Sequence, residues 1–165
     1  MTALAALLCC VVAQAAPDRG LPPHPADRVT VFLGPVPGKN GFVHPYAGSR
    51  VFRDTYDDMR AVYAEEPSLQ TILRLVSRPE EADLIVEVTA RITDPNTAAK
   101  TIAATLSVVG SDFTAQLDSR QRLGVVATWH AHAKSLLRQT ADWITANRTA
   151  LDRVRASRAA RSQAP

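Results

Sequence analysis

Histidine is the residue type in this chain best suited to bind a metal ion. His130 and His132 flank Ala131, and in an extended backbone their imidazoles would point to one side and share a metal, with His44 or Asp118 as a third ligand. In a helix the two positions lie about 200° apart, which prevents shared ligation. The surrounding pattern is helical and no His-Glu-x-x-His spacing occurs, so the sequence favours two ordinary histidines at a helix start. A zinc site built from His44, His130 and His132 is the alternative.

The candidate binding residues lie in one strand and in one loop. Glu87 lies in the middle of a predicted strand, opposite its apolar residues. On an open sheet face it only improves solubility, whereas under a cover it would be a buried acid and a site candidate. The loop over residues 34–48 is long and rich in proline and glycine, and such loops often carry function. Its Lys39, His44 and Tyr46, together with Glu87, are the predicted binding residues.

Other catalytic signatures are missing from the sequence. There is no Gly-x-Ser-x-Gly nucleophile elbow. Residues 34–41 contain glycines and a lysine but not in the order of a P-loop, and their prolines remove amide donors that a phosphate cradle needs. No cofactor is therefore predicted. The sequence favours a non-enzymatic binding module for an envelope protein or a small ligand, and a small metal-dependent hydrolase using His44, His130 and His132 is an alternative.

Residues 1–15 have the layout of a secretory signal peptide. Met1–Ala16 carries no charged side chain, Ala3–Ala13 is almost entirely apolar, and Ala13-Gln14-Ala15 offers a small-x-small cleavage site. The apolar run is shorter than the roughly 20 residues that span a bilayer. Cleavage would remove Cys9 and Cys10; lipidation at one of them is the alternative. No basic residue precedes the run, so an upstream start codon is also open. We expect a periplasmic or extracellular protein.

The basic charge of the chain is concentrated near its carboxyl end. The formal net charge is +3, yet without five late arginines the chain has 14 basic and 16 acidic side chains. A mildly acidic body argues against a nucleic-acid footprint. The alternative is a membrane-peripheral or lipoprotein-like envelope component, which would make a weak contact with an anionic membrane through Arg153, Arg155, Arg158 and Arg161. We divide the chain into a signal peptide (1–15), a linker (16–27), one domain (28–154) and a disordered basic tail (155–165).

The spacing of apolar residues predicts the elements that hold these candidates. The predicted order is a strand at Arg28–Leu33, a helix that begins after Ser49, a helical turn running into a short edge strand within Ser68–Val76, three alternating strands, and a helix from about His130 to Val154. Three alternating strands in a row indicate an antiparallel meander with one wet face. The fold class is α+β: a two-layer sandwich with a mostly antiparallel sheet of four to five strands and two main helices on one face.

Alternation also predicts which strand residues face the core. In the stretch Glu80–Ile92, the inward set is Leu84, Val86, Val88, Ala90 and Ile92, and the outward set is Glu87, Thr89 and Arg91. In the last strand, Phe113, Ala115 and Leu117 are expected to point inward, after a two-residue turn at Gly110-Ser111. A right-handed crossover would make the first strand parallel to the stretch Glu80–Ile92.

The order of elements and three short motifs carry a resemblance. These motifs are Glu80-Glu81-Ala82-Asp83, the strand Leu84-Ile85-Val86-Glu87-Val88 that follows it, and Trp143 with Asn147-Arg148 in the last helix. Together they resemble a group of uncharacterised exported bacterial proteins and, more distantly, are similar to the α/β amino-terminal domain of the periplasmic protein TolB. The resemblance spans about residues 28–154 and implies a fold alone, because no catalytic residue is attached to it.

Overall fold

The computed structural model of the chain describes residues 27–36, 48–120 and 127–162. These residues form one five-stranded sheet with helices on one of its faces. The elements in chain order are β1 (Val29–Leu33), α1 (Arg50–Glu65), α2 (Pro67–Ile72), β2 (Leu73–Val76), a 3₁₀ turn (Pro79–Glu81), β3 (Leu84–Thr93), β4 (Lys100–Val108), β5 (Thr114–Arg120), α3 (Trp129–Ala146) and α4 (Arg148–Ser162). The predicted signal peptide, most of the predicted linker, and Lys39, His44 and Tyr46 lie outside the described residues.

The strand order in the sheet is β2-β1-β3-β4-β5. β1 pairs with β2 and β3 in parallel, while β3, β4 and β5 form an antiparallel meander. Most of the ladder is antiparallel, because β3 and β4 have ten and nine residues and β1 and β2 only five and four. The predicted α+β two-layer fold is confirmed, including the parallel pairing of β1 with β3 and the short edge strand β2.

The core lies between the sheet and helices α1 and α3. Ser49 caps α1 by accepting a hydrogen bond from the amide of Phe52, as predicted. The helix then buries an apolar stripe against the sheet, and α3 buries a second one beside it. The fully buried helical residues include Met59, Val62, Ala133, Leu136 and Leu137. Burying one of the larger side chains, Val, Leu or Met, contributes about 1.5–3 kcal/mol, so this layer dominates the stability of the domain.

A β-bulge changes which side chains of β3 face the helices. The pairing of β3 with β4 shifts by one residue between Val88 and Ala90, and an extra residue moves every later side chain to the other face. Arg91 therefore points toward the helices, with its side chain only 10% exposed. Ile92 is instead 56% exposed. The predicted orientation of β3 is right up to Val88 and wrong for Arg91 and Ile92.

Tyr56 of α1 completes the hydrogen bonding of β3 where β1 ends. The amide of Gly34 donates to the carbonyl of Val86 (3.2 Å), just beyond the end of β1. The next β3 amide on that edge, that of Val88, has no β1 carbonyl as its acceptor. The amide of Val88 donates instead to the buried Tyr56 hydroxyl, 3.0 Å away. Burial raises the pKa of Tyr56 to about 12, so the phenol stays protonated across the physiological range.

The carboxyl-terminal helix differs from the prediction in two ways. It is broken at Asn147, whose side-chain nitrogen and backbone amide both donate to the carbonyl of Trp143 (2.9 and 3.0 Å). It also continues to Ser162, so the disorder predicted from residue 155 is wrong for residues 155–162. The prediction relied on the lack of large apolar residues, whereas Arg155 and Arg158 hold this part of α4 through polar contacts.

Candidate binding groove

The β4–β5 connection places an aromatic ring outside the core. Val108 donates to the carbonyl of Phe113 (3.1 Å), and the amides of Ser111 and Phe113 are satisfied by the Val108 carbonyl and the Ser111 hydroxyl. Phe113 is 48% exposed. The prediction that it belongs to the core is wrong, because β5 begins only at Thr114 and the ring lies beside Trp143 at the edge of the helix layer. Residues 109–113 form a five-residue connection, so the alternation of β5 does not extend to Phe113.

Phe113 and Trp143 form the rim of an apolar groove. Their ring centroids lie 5.3 Å apart, with the planes tilted by 35°. The groove runs between the β4–β5 connection and the junction of α3 with α4, and its volume is about 260 Å³. Its lining is Val108, Ser111, Phe113, Trp143, Asn147, Ala150, Leu151 and Val154. We call this feature the Phe113–Trp143 groove.

Helix α4 supplies one wall of the groove and continues as a basic surface. Leu151, Val154, Arg158 and Arg161 follow one another at spacings of three or four residues and therefore share one face. Gly110 lies under the end of this face at a φ of +86°, which favours glycine. A Cβ atom there would lie 3.0 Å from Cδ of Arg158 and 3.7 Å from Nη2 of Arg161. The two arginines are thus placed directly beyond the groove.

A second cavity adjoins the groove on the outer face of the sheet. It measures about 410 Å³, and Val108, Ser111 and Phe113 line both cavities. Glu87 and Asp112 lie on its wall, and Glu87 is half-buried. Glu87, the predicted binding residue that the structure describes, therefore lies in a cavity that shares three lining residues with the candidate groove.

The two histidines of α3 have different surroundings. Nε2 of His130 lies 3.1 Å from a carboxylate oxygen of Glu65. His132 is buried, and its Nδ1 lies 2.9 Å from the carbonyl oxygen and 3.0 Å from the hydroxyl of Ser119. Both residues are in the first turn of the helix, which is the arrangement that prevents a shared metal ion. Within residues 27–36, 48–120 and 127–162, no three His, Cys, Asp or Glu side chains come together as possible metal ligands.

A cationic cluster at the other end of β3 was not predicted. The Arg91 guanidinium lies 4.3 Å from the centre of the Trp129 ring and donates to the Thr55 hydroxyl (2.9 Å) and the Val51 carbonyl (3.1 Å). Lys100 approaches the same ring at 5.4 Å. The cluster joins β3 and β4 to α1 and α3, so its role is to hold the layers together. The bulge that creates it has no distinct sequence signal.

Two of the four arginines predicted to contact a membrane are bound within the protein. Arg155 donates to Asp83 (3.1 Å) and to the carbonyl of Arg28 (2.9 Å). Arg158 donates to the carbonyl of Ala82 (3.0 Å) and lies 3.5 Å from Asp83. Arg155 and Arg158 are therefore not part of a solvated basic tail as predicted. The side chains of Arg153 and Arg161 are exposed.

Comparisons with known proteins add little to this geometry. None of the described helices is long and apolar enough to cross a membrane. No family model matches the chain, and no curated protein does. Among solved structures, the chain is similar to protein XCC0632 from Xanthomonas campestris, which carries the family model DUF330. The identity is 15% and the TM-score 0.36, over 82% of this chain and 94% of that one. Such a TM-score carries no argument about function, and the resemblance to TolB stays a prediction.

Proposed function

We propose that this chain is an exported, non-enzymatic binding module that holds an apolar side chain of a partner protein in the Phe113–Trp143 groove. The observation that carries the proposal is the half-exposed Phe113 ring beside Trp143 on an apolar groove. Aromatic residues around a desolvated pocket are the typical anchors of protein interfaces. Each Å² of apolar surface buried there contributes about 25 cal/mol, so an anchor side chain supplies part of the binding free energy and neighbouring contacts have to offset the rest of the cost of association.

The other exposed apolar residues of the described structure favour binding less. Val51 and Ile92 line a shallow cavity at the far end of β3, beside Arg91. They are aliphatic, and the charged head of Arg91 is already held by Thr55 and Val51. The Phe113–Trp143 groove instead combines two aromatic rings with an apolar lining.

Export of the module rests on the signal-peptide layout of residues 1–15. Of the alternatives, a hydrolase would need its catalytic side chains to converge in one pocket. His130 and His132 bind Glu65 and Ser119 instead. A membrane-peripheral role would draw on the basic end of α4, where Arg155 and Arg158 already bind the protein.

The test is a peptide selection followed by measured affinities. The full chain is used to select binders from a displayed peptide library, and the enriched peptide is titrated calorimetrically against wild type, Phe113→Ser and Val51→Ser. Val51 is 47% exposed against 48% for Phe113, so it is a matched control for loss of an exposed apolar group. We expect Phe113→Ser to weaken binding at least tenfold and Val51→Ser to leave it unchanged.

Two results would contradict the proposal. One is that no peptide is enriched above a blank surface. The other is that the enriched peptide binds Phe113→Ser as tightly as wild type. Thermal melts of both variants establish that each is folded before the affinities are compared.

A further inference from the structure

We infer that the partner segment is acidic, with an apolar anchor for the Phe113–Trp143 groove and a carboxylate two to four residues away that pairs with Arg161. This inference rests on the proposed function and specifies the chemistry of the partner. It is carried by charge complementarity, because the wall of the groove that α4 provides continues into a basic surface.

The charge of α4 is strongly one-sided. The helix contains five arginines and one acidic residue, Asp152. Asp152 pairs with Arg148 (3.2 Å) and approaches Arg155 (3.6 Å). Arg155 is further held by Asp83. Within residues 27–36, 48–120 and 127–162, Arg153 and Arg161 are exposed and make no ion pair. Two exposed cations on one short helix attract a negatively charged partner.

The position of Arg161 sets the spacing within the partner. Arg161 follows Val154 by seven residues on the same face of α4, which is about 10 Å along a helix axis at 1.5 Å per residue. Nη2 of Arg161 lies 3.7 Å from the Cβ position of Gly110, so the guanidinium lies at the end of the groove beside the β4–β5 connection. An extended peptide covers about 7 Å in two residues and about 13 Å in four, and side chains at these two spacings lie on the same face as the anchor. A peptide whose apolar anchor contacts Val154 therefore brings a side chain two or four positions away within reach of the long Arg161 side chain.

An anionic membrane is the other surface that exposed arginines attract, and the structure favours it less. Arg155 and Arg158 already donate to Asp83 and to two backbone carbonyls. The apolar surface at the start of the basic face is a groove rather than a protruding element, and a groove accepts a side chain better than it inserts into lipid. Binding to vesicles is therefore an outcome that the test has to separate.

The probes are three synthetic octapeptides that differ only in charge. The acidic peptide is acetyl-Gly-Ser-Phe-Ser-Ser-Glu-Glu-Ser-amide, and Gln-Gln or Lys-Lys replaces Glu-Glu in the neutral and basic versions. Each is titrated against the full chain, against Phe113→Ser, and against Arg161→Glu. Arg74→Glu is the matched charge control, because Arg74 is exposed on β2, at the sheet edge opposite β5.

We expect the acidic peptide to bind wild type about tenfold more tightly than the basic one in 50 mM NaCl, with most of the preference lost in 500 mM NaCl. Arg161→Glu should lower the preference for the acidic over the basic peptide at least threefold, and Arg74→Glu should leave that preference unchanged. Phe113→Ser should weaken the binding of all three peptides. Equal binding of the three peptides to wild type, still lost in Phe113→Ser, would overturn the inference and leave the proposed function standing. Failure of every peptide to respond to Phe113→Ser would overturn both.

Vesicles of phosphatidylcholine and phosphatidylglycerol, three to one, complete the test. We expect no sedimentation of the chain with them in 150 mM NaCl. Sedimentation that Arg161→Glu abolishes, without a preference among the peptides, would assign the basic face to a membrane and overturn the acidic-peptide inference.

Discussion

The molecule has two regions, and each is stabilised by a different kind of interaction. The apolar half comprises α1, α3 and the sheet face beneath them, and α3 alone buries Ala133, Leu136, Leu137, Ala141 and Ile144. The charged half comprises α4, the β4–β5 connection and Asp83. In α4 only Leu151 is fully buried, and Val154 packs partly buried against the core. The other contacts that attach the helix are polar. The groove thus has one wall on a helix that is held mainly by charged hydrogen bonds.

Asp83 is the centre of the charged half. Its Oδ2 accepts from the amide and the hydroxyl of Thr30 (3.0 and 2.8 Å) and from Arg155 (3.1 Å), and its side chain is 13% exposed. The carboxylate thereby joins the start of β3 to β1 and to α4. Charge-assisted hydrogen bonds of this kind are stronger than neutral ones, but they weaken when the charge is removed or screened.

The largest expected effect is the loss of stability when a buried leucine is shortened, and it should differ between the two halves. Leu137→Ala in α3 leaves a void in closely packed surroundings, and we expect the free energy of unfolding to fall by about 3–4 kcal/mol. Leu151→Ala in α4 lies next to the groove, where solvent can fill the space, so about 2 kcal/mol is expected. Urea denaturation measures both values. Equal losses would show that α4 is packed as tightly as α3 and would remove the distinction.

The sequence predicts the apolar half, because the spacing of its apolar residues is a direct consequence of which faces are packed. The stripe of α1 and the alternation of β4 follow from one buried face each. The turn after β3 is equally local. There Asp94 accepts hydrogen bonds from the amides of Asn96 and Thr97, and these bonds lower the pKa of Asp94.

The sequence does not predict the groove, because the features that build it depend on tertiary contacts. Phe113 fits the alternation of β5 by sequence, and only the five-residue connection removes it from the core. Arg155 and Arg158 look like a solvated tail until Asp83, more than 70 residues earlier, is placed beside them. The bulge that turns Arg91 inward is also set by pairing with β4. The sequence marks Glu87 as a strand carboxylate, but its place next to the groove follows from the fold.

Alkaline titration tests the apolar half through Tyr56. Its folded pKa of about 12 lies above the ordinary value of 10 because burial disfavours the phenolate. The stabilisation that goes with this shift is complete below pH 10 and is lost as the pH rises from 10 to 12, by roughly 2–3 kcal/mol. Urea midpoints between pH 9 and pH 12 measure it. Tyr56→Phe is less stable at pH 8, since the Val88 amide loses its acceptor, but its stability should change less across this range. Parallel curves for the two proteins would refute the assignment.

Removing the charge of Asp83 should loosen the charged half alone. Asp83→Asn keeps an oxygen for Thr30 but weakens the hold on Arg155 and Arg158, at an expected cost of about 2 kcal/mol. Hydrogen exchange should become faster for the amides of α4, while those of Leu136 and Leu137 stay protected. Affinity for the acidic peptide should fall with the loss of the α4 wall. Uniformly faster exchange in α3 and α4 would mean that the two halves unfold as one unit.

The smallest change tests how closely α4 rests on the β4–β5 connection. Gly110→Ala introduces a Cβ atom at a φ of +86° and 3.0 Å from Cδ of Arg158, so the backbone is strained and the arginine has to move. We expect a loss of about 1–2 kcal/mol in unfolding free energy and weaker peptide binding. Gly48→Ala is the matched control, as a Cβ atom there meets nothing within 4 Å. If both substitutions have the same small effect, Arg158 is not pressed against the connection and the groove does not depend on that contact. If only Gly110→Ala weakens binding, the position of α4 sets the shape of the groove, and the charged half controls the site that the apolar half supports.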